Sequence, residues 1–142
     1  MTERVLLVDD EMEFLEIMSE RMQARDIEVT TSTSALEAMD LIATESYDAV
    51  IMDFMMPEMN GIEALKAIKE KNPEMQIILL TGHATVEKTV EAMKAGAMDL
   101  LEKPADLDAL SEKIKSAHNQ KALIVEKKNQ ERVIEMLKKF GM

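Results

Sequence analysis

Four short stretches each carry an apolar run up to a group that can handle charge. "RVLLVDD" delivers Asp9 and Asp10, "AVIMD" delivers Asp53, "QIILLT" delivers Thr81 and "MDLLEKP" delivers Lys103. The chain has no cysteine, which removes disulfides, thiolate nucleophiles and sulfur-ligated zinc. Chemistry must run on oxygen and nitrogen. Carboxylates gathered in one place repel, and a hard cation such as Mg²⁺, its octahedron completed by waters and phosphate oxygens, answers that repulsion. A lysine adds a mobile positive point charge, and a hydroxyl can donate to a phosphoryl oxygen. The set therefore suits phosphoryl chemistry. The four glycines, at 61, 82, 96 and 141, can build neither a P-loop nor a G-x-G-x-x-G cradle, so no bound nucleotide is expected.

These groups do chemistry together only if the fold brings them to one edge. Strands are expected at 4–8, 28–31, 49–52, 76–80 and 98–101. Between them lie segments with apolar residues three or four apart: Phe14, Ile17, Met18 and Met22; Ala35, Leu36, Met39 and Ile42; Ile62, Leu65 and Ile68; Val86, Val90 and Met93. Ser34 can cap the second helix, Pro73 stops the third, and Gly96 suits the end of the fourth. Five strands interleaved with five helices predict an α/β, flavodoxin-like doubly wound parallel sheet. In the common strand order 2-1-3-4-5 the first and third strands lie about 4.8 Å apart, which gathers Asp9, Asp10 and Asp53 at the carboxyl edge.

The 142 residues carry a net charge of −11, which disfavours general nucleic-acid binding and suits a cation or a basic partner surface. No segment has the length and apolarity of a signal peptide or a membrane span, so a cytoplasmic protein is expected. Residues 1–118 read as one domain and 119–142 as a charged helical extension. No glycine or proline interrupts the chain from Ala105 to Phe140, so the fifth helix can continue through it. The extension has six basic against three acidic side chains, a net +3, leaving −14 on the rest. Its apolar spacing is too irregular for a sustained coiled coil, and 24 residues are too few for a DNA-binding or ATPase domain.

The motifs "LLVDDE", "VIMDFMMPEMNGIEAL", "IILLTGHA" and "KAGAMDLLEKP" resemble those of the receiver domains of two-component response regulators, over residues 4 to about 117. The resemblance implies that Asp53 accepts a phosphoryl group from a sensor histidine kinase or a histidine phosphotransfer protein. It also implies that Asp10, Asp53 and the backbone carbonyl of Met55 bind Mg²⁺ directly, with Asp9 holding it mainly through water. Thr81 and Lys103 would contact the phosphoryl group, His83 would influence attack by water, and the peptide before Pro104 would be cis. The signal would leave through the face of helix 4, strand 5 and helix 5 to a downstream protein. At the position where the family usually has an aromatic switch residue this chain has Leu100, which calls a Tyr/Thr coupled switch into question.

Each residue also has a plainer reading. Asp9 and Asp10 suit a helix start, Asp53 a turn, and Lys103 a solvated surface. Most of the 14 methionines fit core gaps rather than a copper site, and His83 and His118 are too far apart in sequence to suggest zinc. Other functions remain on the table. One is a phosphorylation-independent receiver-like adaptor or dimerisation module. Another is a Mg²⁺-dependent phosphatase with an aspartyl nucleophile, which should carry a second acid where Met55 stands. The extension is read as partner or homodimer contact, or as a loosely ordered surface segment.

Overall fold

A strand that is apolar on both faces is stable only between two covering layers. That condition is met in the computed structural model, which describes residues 2–141. Along the chain come β1 (Arg4–Val8), α1 (Met12–Gln23), β2 (Glu28–Ser32), α2 (Ala35–Thr44), β3 (Ala49–Asp53), α3 (Gly61–Lys71), β4 (Ile77–Thr81), α4 (Val86–Ala95), β5 (Asp99–Glu102) and α5 (Leu107–Lys139). The strands form one parallel sheet in the order β2-β1-β3-β4-β5. This is the flavodoxin-like doubly wound fold expected from the alternation of apolar runs and helical periods.

Strand alternation divides the core into two layers. Leu6, Val8, Val50, Met52, Ile77 and Leu79 pack under α2, α3 and α4, with Ile62, Leu65 and Ala92 among their partners. Their neighbours Val5, Leu7, Ala49, Ile51, Ile78 and Leu80 pack against Leu15, Met18 and Met22 of α1 and Leu110, Ile114 and Ala117 of α5. Helix starts follow the short polar residues: Ser34, Asn60 and Thr85 each accept the backbone N–H three residues on, and Asp106 accepts that of Asp108. Gly96 closes α4 with φ +106°, as the "KAG" ending predicts.

The structure departs from the sequence reading in three places. First, β2, β3, β4 and β5 each end one residue later than expected, so Asp53 pairs with Leu80 and Thr81 with Glu102 inside the ladder. Both side chains are therefore held by strand backbone rather than by loops. Second, the apolar spacing on α4 does not mark its core face: Val86, Val90 and Met93 are exposed, and Ala92 is the buried residue. Small alanines let α4 lie close to the sheet and turn the larger side chains outward. Ile17 and Leu36 are likewise exposed. Third, the methionines are split: Met18, Met22, Met52 and Met75 are buried, but Met12, Met55, Met93 and Met136 are not.

Helix α5 runs without a break across residue 118, and 33 residues span about 50 Å at 1.5 Å per residue. Its docking is uneven. Leu110 and Ile114 are fully buried, worth roughly 1.5–3 kcal/mol each. Beyond Ala117 the anchors are polar: His118 Nδ1 lies 2.8 Å from Asp48 Oδ1, Lys121 donates to Ser46 Oγ at 2.5 Å and to the Tyr47 carbonyl at 3.2 Å, and Lys128 pairs with Glu74. Of the two acid–base pairs only Asp48–His118 is part-buried, and an exposed pair such as Lys128–Glu74 contributes only about 0–1 kcal/mol. The far half of α5 is thus held much more weakly than the near half.

One glycine is required by close approach. A Cβ at Gly61 would sit 2.8 Å from the Asp53 carbonyl oxygen and 2.9 Å from the Phe54 Cα, both backbone atoms with little room to yield. Gly61 N–H also donates to the Phe54 carbonyl at 2.7 Å, closing the loop that follows Asp53. Gly61→Ala should therefore destabilise the fold by roughly 1–3 kcal/mol, read as a lower urea midpoint with an unchanged slope. An unaltered midpoint would contradict this packing.

Candidate functional site

The alternation that builds the two layers also assembles the site. Val8 pairs with Met52, so Asp9 and Asp53 leave the carboxyl edge side by side. Both continue the face of Leu7 and Ile51, and Lys103, two residues after Leu101, arrives on the same side. Carboxylate oxygens of Asp9, Asp10 and Asp53 lie within 4.8 Å of one another. Asp9 is completely buried, Asp53 is 8% exposed and Asp10 faces solvent. Among the described residues this is the one cluster of such groups able to hold a metal.

Lys103 supplies the counter-charge. Its Nζ donates to Asp9 Oδ2 at 2.6 Å and stands 3.5 Å from Asp53 Oδ2. The other oxygen of Asp9 accepts the Glu11 N–H at 2.9 Å, which ties the start of α1 to the site. The other oxygen of Asp53 receives only a long hydrogen bond from the Met55 N–H, 3.4 Å. The Lys-Pro peptide bond after Lys103 is cis, and the Lys103 N–H donates to the Thr81 carbonyl at 2.7 Å.

The protonation balance follows from burial and charge. Burial pushes the Asp53 carboxyl above its ordinary range, the neighbouring Asp9 charge pushes it the same way, and Lys103 offsets them only in part. For Lys103, burial opposes the ammonium, but the hydrogen bond and charge of Asp9, with the charges of Asp53 and Glu11, outweigh it and hold the group above its usual value. One ammonium thus touches two of the clustered acids, and Asp53 has the longer of the two contacts. The donor set suits a hard divalent cation: several carboxylate oxygens close together, with no sulfur or imidazole among them.

Of the residues singled out in the sequence, Asp9, Asp10, Asp53 and Lys103 come together. Thr81 does not join them through its side chain. It continues the opposite face, that of Ile77 and Leu79, and its hydroxyl donates to the His83 carbonyl and accepts from the His83 N–H, both at 3.3 Å. The His83 residue is exposed. Leu100 is buried in the layer under α4 and has no polar group with which to follow Thr81. The Met55 side chain is 63% exposed.

Two contributors escaped sequence reasoning. The Phe14 ring lies 4.2 Å from Lys103 Nζ, a cation–π contact that fixes where the ammonium rests. Lys88 is the other, its Nζ 3.5 Å from Thr81 Oγ1. Phe14 reads in the sequence only as one member of an apolar helical face. A groove of about 980 Å³ lies away from the carboxylates, between the far half of α5 and Arg4 and Asp48. Its wall is mainly apolar, whereas the acid cluster gathers the groups able to hold a metal.

The chain belongs to the response regulator receiver domain family, whose model matches residues 5–115. Among curated proteins, it is 39% identical over 108 residues to the regulatory protein AtoC of Escherichia coli, a match covering 76% of this chain and 23% of that protein. It spans about a quarter of the length of the curated relatives it matches. Among solved structures, a receiver domain protein from Clostridium thermocellum superposes with a TM-score of 0.81 at 35% identity, covering 86% of this chain and 98% of that one. A beryllofluoride-activated NtrC4 receiver domain dimer, solved in solution, gives 0.77 at 32% identity over 82% of this chain and 97% of that one.

A pH prediction follows from the raised carboxyl of Asp53. Where Asp53 is ionised, above its raised folded value, it costs stability; as pH falls below the ordinary carboxylate range it is protonated in both states and the cost disappears. In metal-free buffer at neutral pH, Asp53→Asn should raise the melting temperature by roughly 2–5 °C, with the gain fading as the pH approaches 3. Mg²⁺ should stabilise the wild type more than the variant. Calorimetry showing Asp53→Asn less stable than wild type at neutral pH would contradict the balance described.

Proposed function

We propose that this chain is a phosphoacceptor of two-component signalling, taking a phosphoryl group on Asp53 from the phosphohistidine of a sensor histidine kinase or a histidine phosphotransfer protein. The observation that carries the reading is the position of Asp53: buried, held in the last ladder position of β3, and with one oxygen engaged only by a 3.4 Å contact. That oxygen attacks phosphorus as the phosphorus–nitrogen bond breaks and the electron pair returns to the imidazole. Lys103 screens the incoming charge. Asp10, Asp53 and the Met55 carbonyl would hold Mg²⁺ directly and Asp9 mainly through water; when bound, the ion neutralises charge on the phosphoryl oxygens. Thr81 would turn from His83 to donate to one of them.

The protein acts catalytically only on its own aspartate, in phosphorylation and hydrolysis. No helix among the described residues is long and apolar enough to cross a membrane, which fits the cytoplasmic setting of such a relay. Residues 1–118 serve as the receiver and 119–142 as an extension that carries its state outward. The outward-facing Val86, Val90 and Met93 suit a signalling face on α4, β5 and α5 that meets a protein partner, with no direct part for nucleic acid.

The far half of α5 exposes Leu123, Val125, Val133, Ile134, Met136, Leu137 and Phe140, too many apolar side chains for a helix meant for water alone. A second copy of this chain is the occupant favoured, in line with the dimer formed by the similar NtrC4 receiver. Multi-angle light scattering of the full chain should give a mass that rises towards the dimer with concentration, and Val133→Glu with Leu137→Glu should abolish that rise. A monomer mass at every concentration would count against the dimer.

The phosphoacceptor reading is tested by incubation with acetyl phosphate and Mg²⁺ followed by intact-mass analysis. Wild type should gain one base-labile phosphoryl group, Asp53→Ala none, and Lys103→Met should gain it roughly 100-fold more slowly. An unmodified wild type would favour the phosphorylation-independent adaptor.

A further inference from the structure

Lys88 stands at the third position of α4, after the capping residue Thr85. That is where a capping box would place an acid, and a cation there opposes the helix dipole. Its surroundings do not compensate it with charge. Lys88 Nζ donates to the His83 carbonyl at 2.8 Å and to Thr81 Oγ1 at 3.5 Å, and lies 5.5 Å from the centroid of the Phe54 ring. Among the described residues it forms no ion pair. A half-buried ammonium therefore rests in a neutral cradle, touching the residue after Asp53 on one side and the Thr81 hydroxyl on the other.

The charge balance of the proposed phosphorylated site gives that ammonium a destination. Asp9, Asp10 and a dianionic phosphoryl group on Asp53 carry one negative charge more than Lys103 and a divalent cation can balance. Glu11 beside Lys103 and Glu102, which accepts the Ala84 N–H at 3.2 Å, add to the excess. Lys103 is already committed to Asp9 at 2.6 Å. Lys88 is the nearby cation with no anion of its own, and its side chain is already in contact with the hydroxyl that must swing inward.

We propose that Lys88 is a second cation of the phosphoryl site, parked on the His83 carbonyl before phosphorylation and drawn with Thr81 to a phosphoryl oxygen after it. The inference rests on the reading of Asp53 as phosphoacceptor. Lys88 is a positioning residue in the resting state, holding the Thr81 hydroxyl on the α4 side. In the loaded state it pulls the first turn of α4 towards the sheet edge. That movement links the aspartate to α4 without an aromatic side chain at Leu100, because the pull comes from the helix itself.

The test uses the isotope-labelled full chain, with beryllofluoride as the phosphoryl mimic at saturating Mg²⁺, followed by amide resonances. Lys88→Met keeps the aliphatic stem against Phe54 and removes the charge; Lys88→Arg restores the charge. Lys88→Met should weaken beryllofluoride binding about tenfold, the loss of one hydrogen bond to a charged group, and shrink the shifts along α4. It should leave the affinity for Mg²⁺ alone unchanged, and Lys88→Arg should recover most of the loss. Wild-type behaviour in Lys88→Met overturns the inference. So does an equal loss of Mg²⁺ and beryllofluoride affinity, which marks a merely structural role. If wild type gives no beryllofluoride response at all, the phosphoacceptor reading falls and the inference falls with it.

Discussion

Three carboxylates meet at the carboxyl edge of the sheet beside a single ammonium that touches two of them, and most of the local architecture answers to that imbalance. Asp9 takes the short contact with Lys103, 2.6 Å, while Asp53 receives the long one, 3.5 Å. Like charges confined in a partly buried edge are costly, so the backbone that holds them must be stiff. Two neighbouring parallel strands provide that stiffness for Asp9 and Asp53, and the cradle of Glu11 N–H and the Phe14 ring holds the remaining oxygen of Asp9 and the ammonium in place. The close approach of Gly61 to the backbone of Asp53 and Phe54 locks the loop that follows Asp53. The fold gives up stability here, which the proposed cation and phosphoryl group would restore.

Most of this was legible in the chain because the decisive residues stand directly after apolar runs. A strand that ends in "VDD" or "IMD" must present its acid at the edge, and parallel order then sets which acids are neighbours. Given the common strand order 2-1-3-4-5, the two covering layers and the cluster of Asp9, Asp10, Asp53 and Lys103 follow from that logic. What was not legible depended on direction rather than position. Thr81 ends its strand like the others, yet alternation sends its hydroxyl to the α4 side, towards His83 and Lys88. The spacing of Val86, Val90 and Met93 looks like a core stripe, but the buried contact of α4 is made by Ala92. Periodicity reports that one face is apolar; it does not say whether that face meets the sheet or a partner.

The same distinction governs α5. Leu110 and Ile114 dock it firmly, whereas residues beyond Ala117 depend on the Asp48–His118 contact and two lysine clamps. Asp48 immediately precedes β3, whose other end is Asp53. One strand therefore joins the acid site to the base of the long helix. The net basic extension and the acidic body are opposite in charge, so electrostatics favours their contact while apolar packing beyond Ala117 is sparse. A weakly held helix with exposed apolar side chains is the part of the chain whose contacts are easiest to exchange.

The central claim is that the acid cluster is an electrostatic deficit that a divalent cation fills, with Asp53 at its centre. A titration of the metal-free protein with Mg²⁺, read by amide resonances, tests it most directly. The account predicts saturable shifts concentrated at Asp9, Asp10, Asp53, Met55 and Lys103, sharply weakened in Asp53→Asn and little changed along the far half of α5. Shifts that are absent, or that spread evenly over the acidic surface and persist in Asp53→Asn, would contradict it.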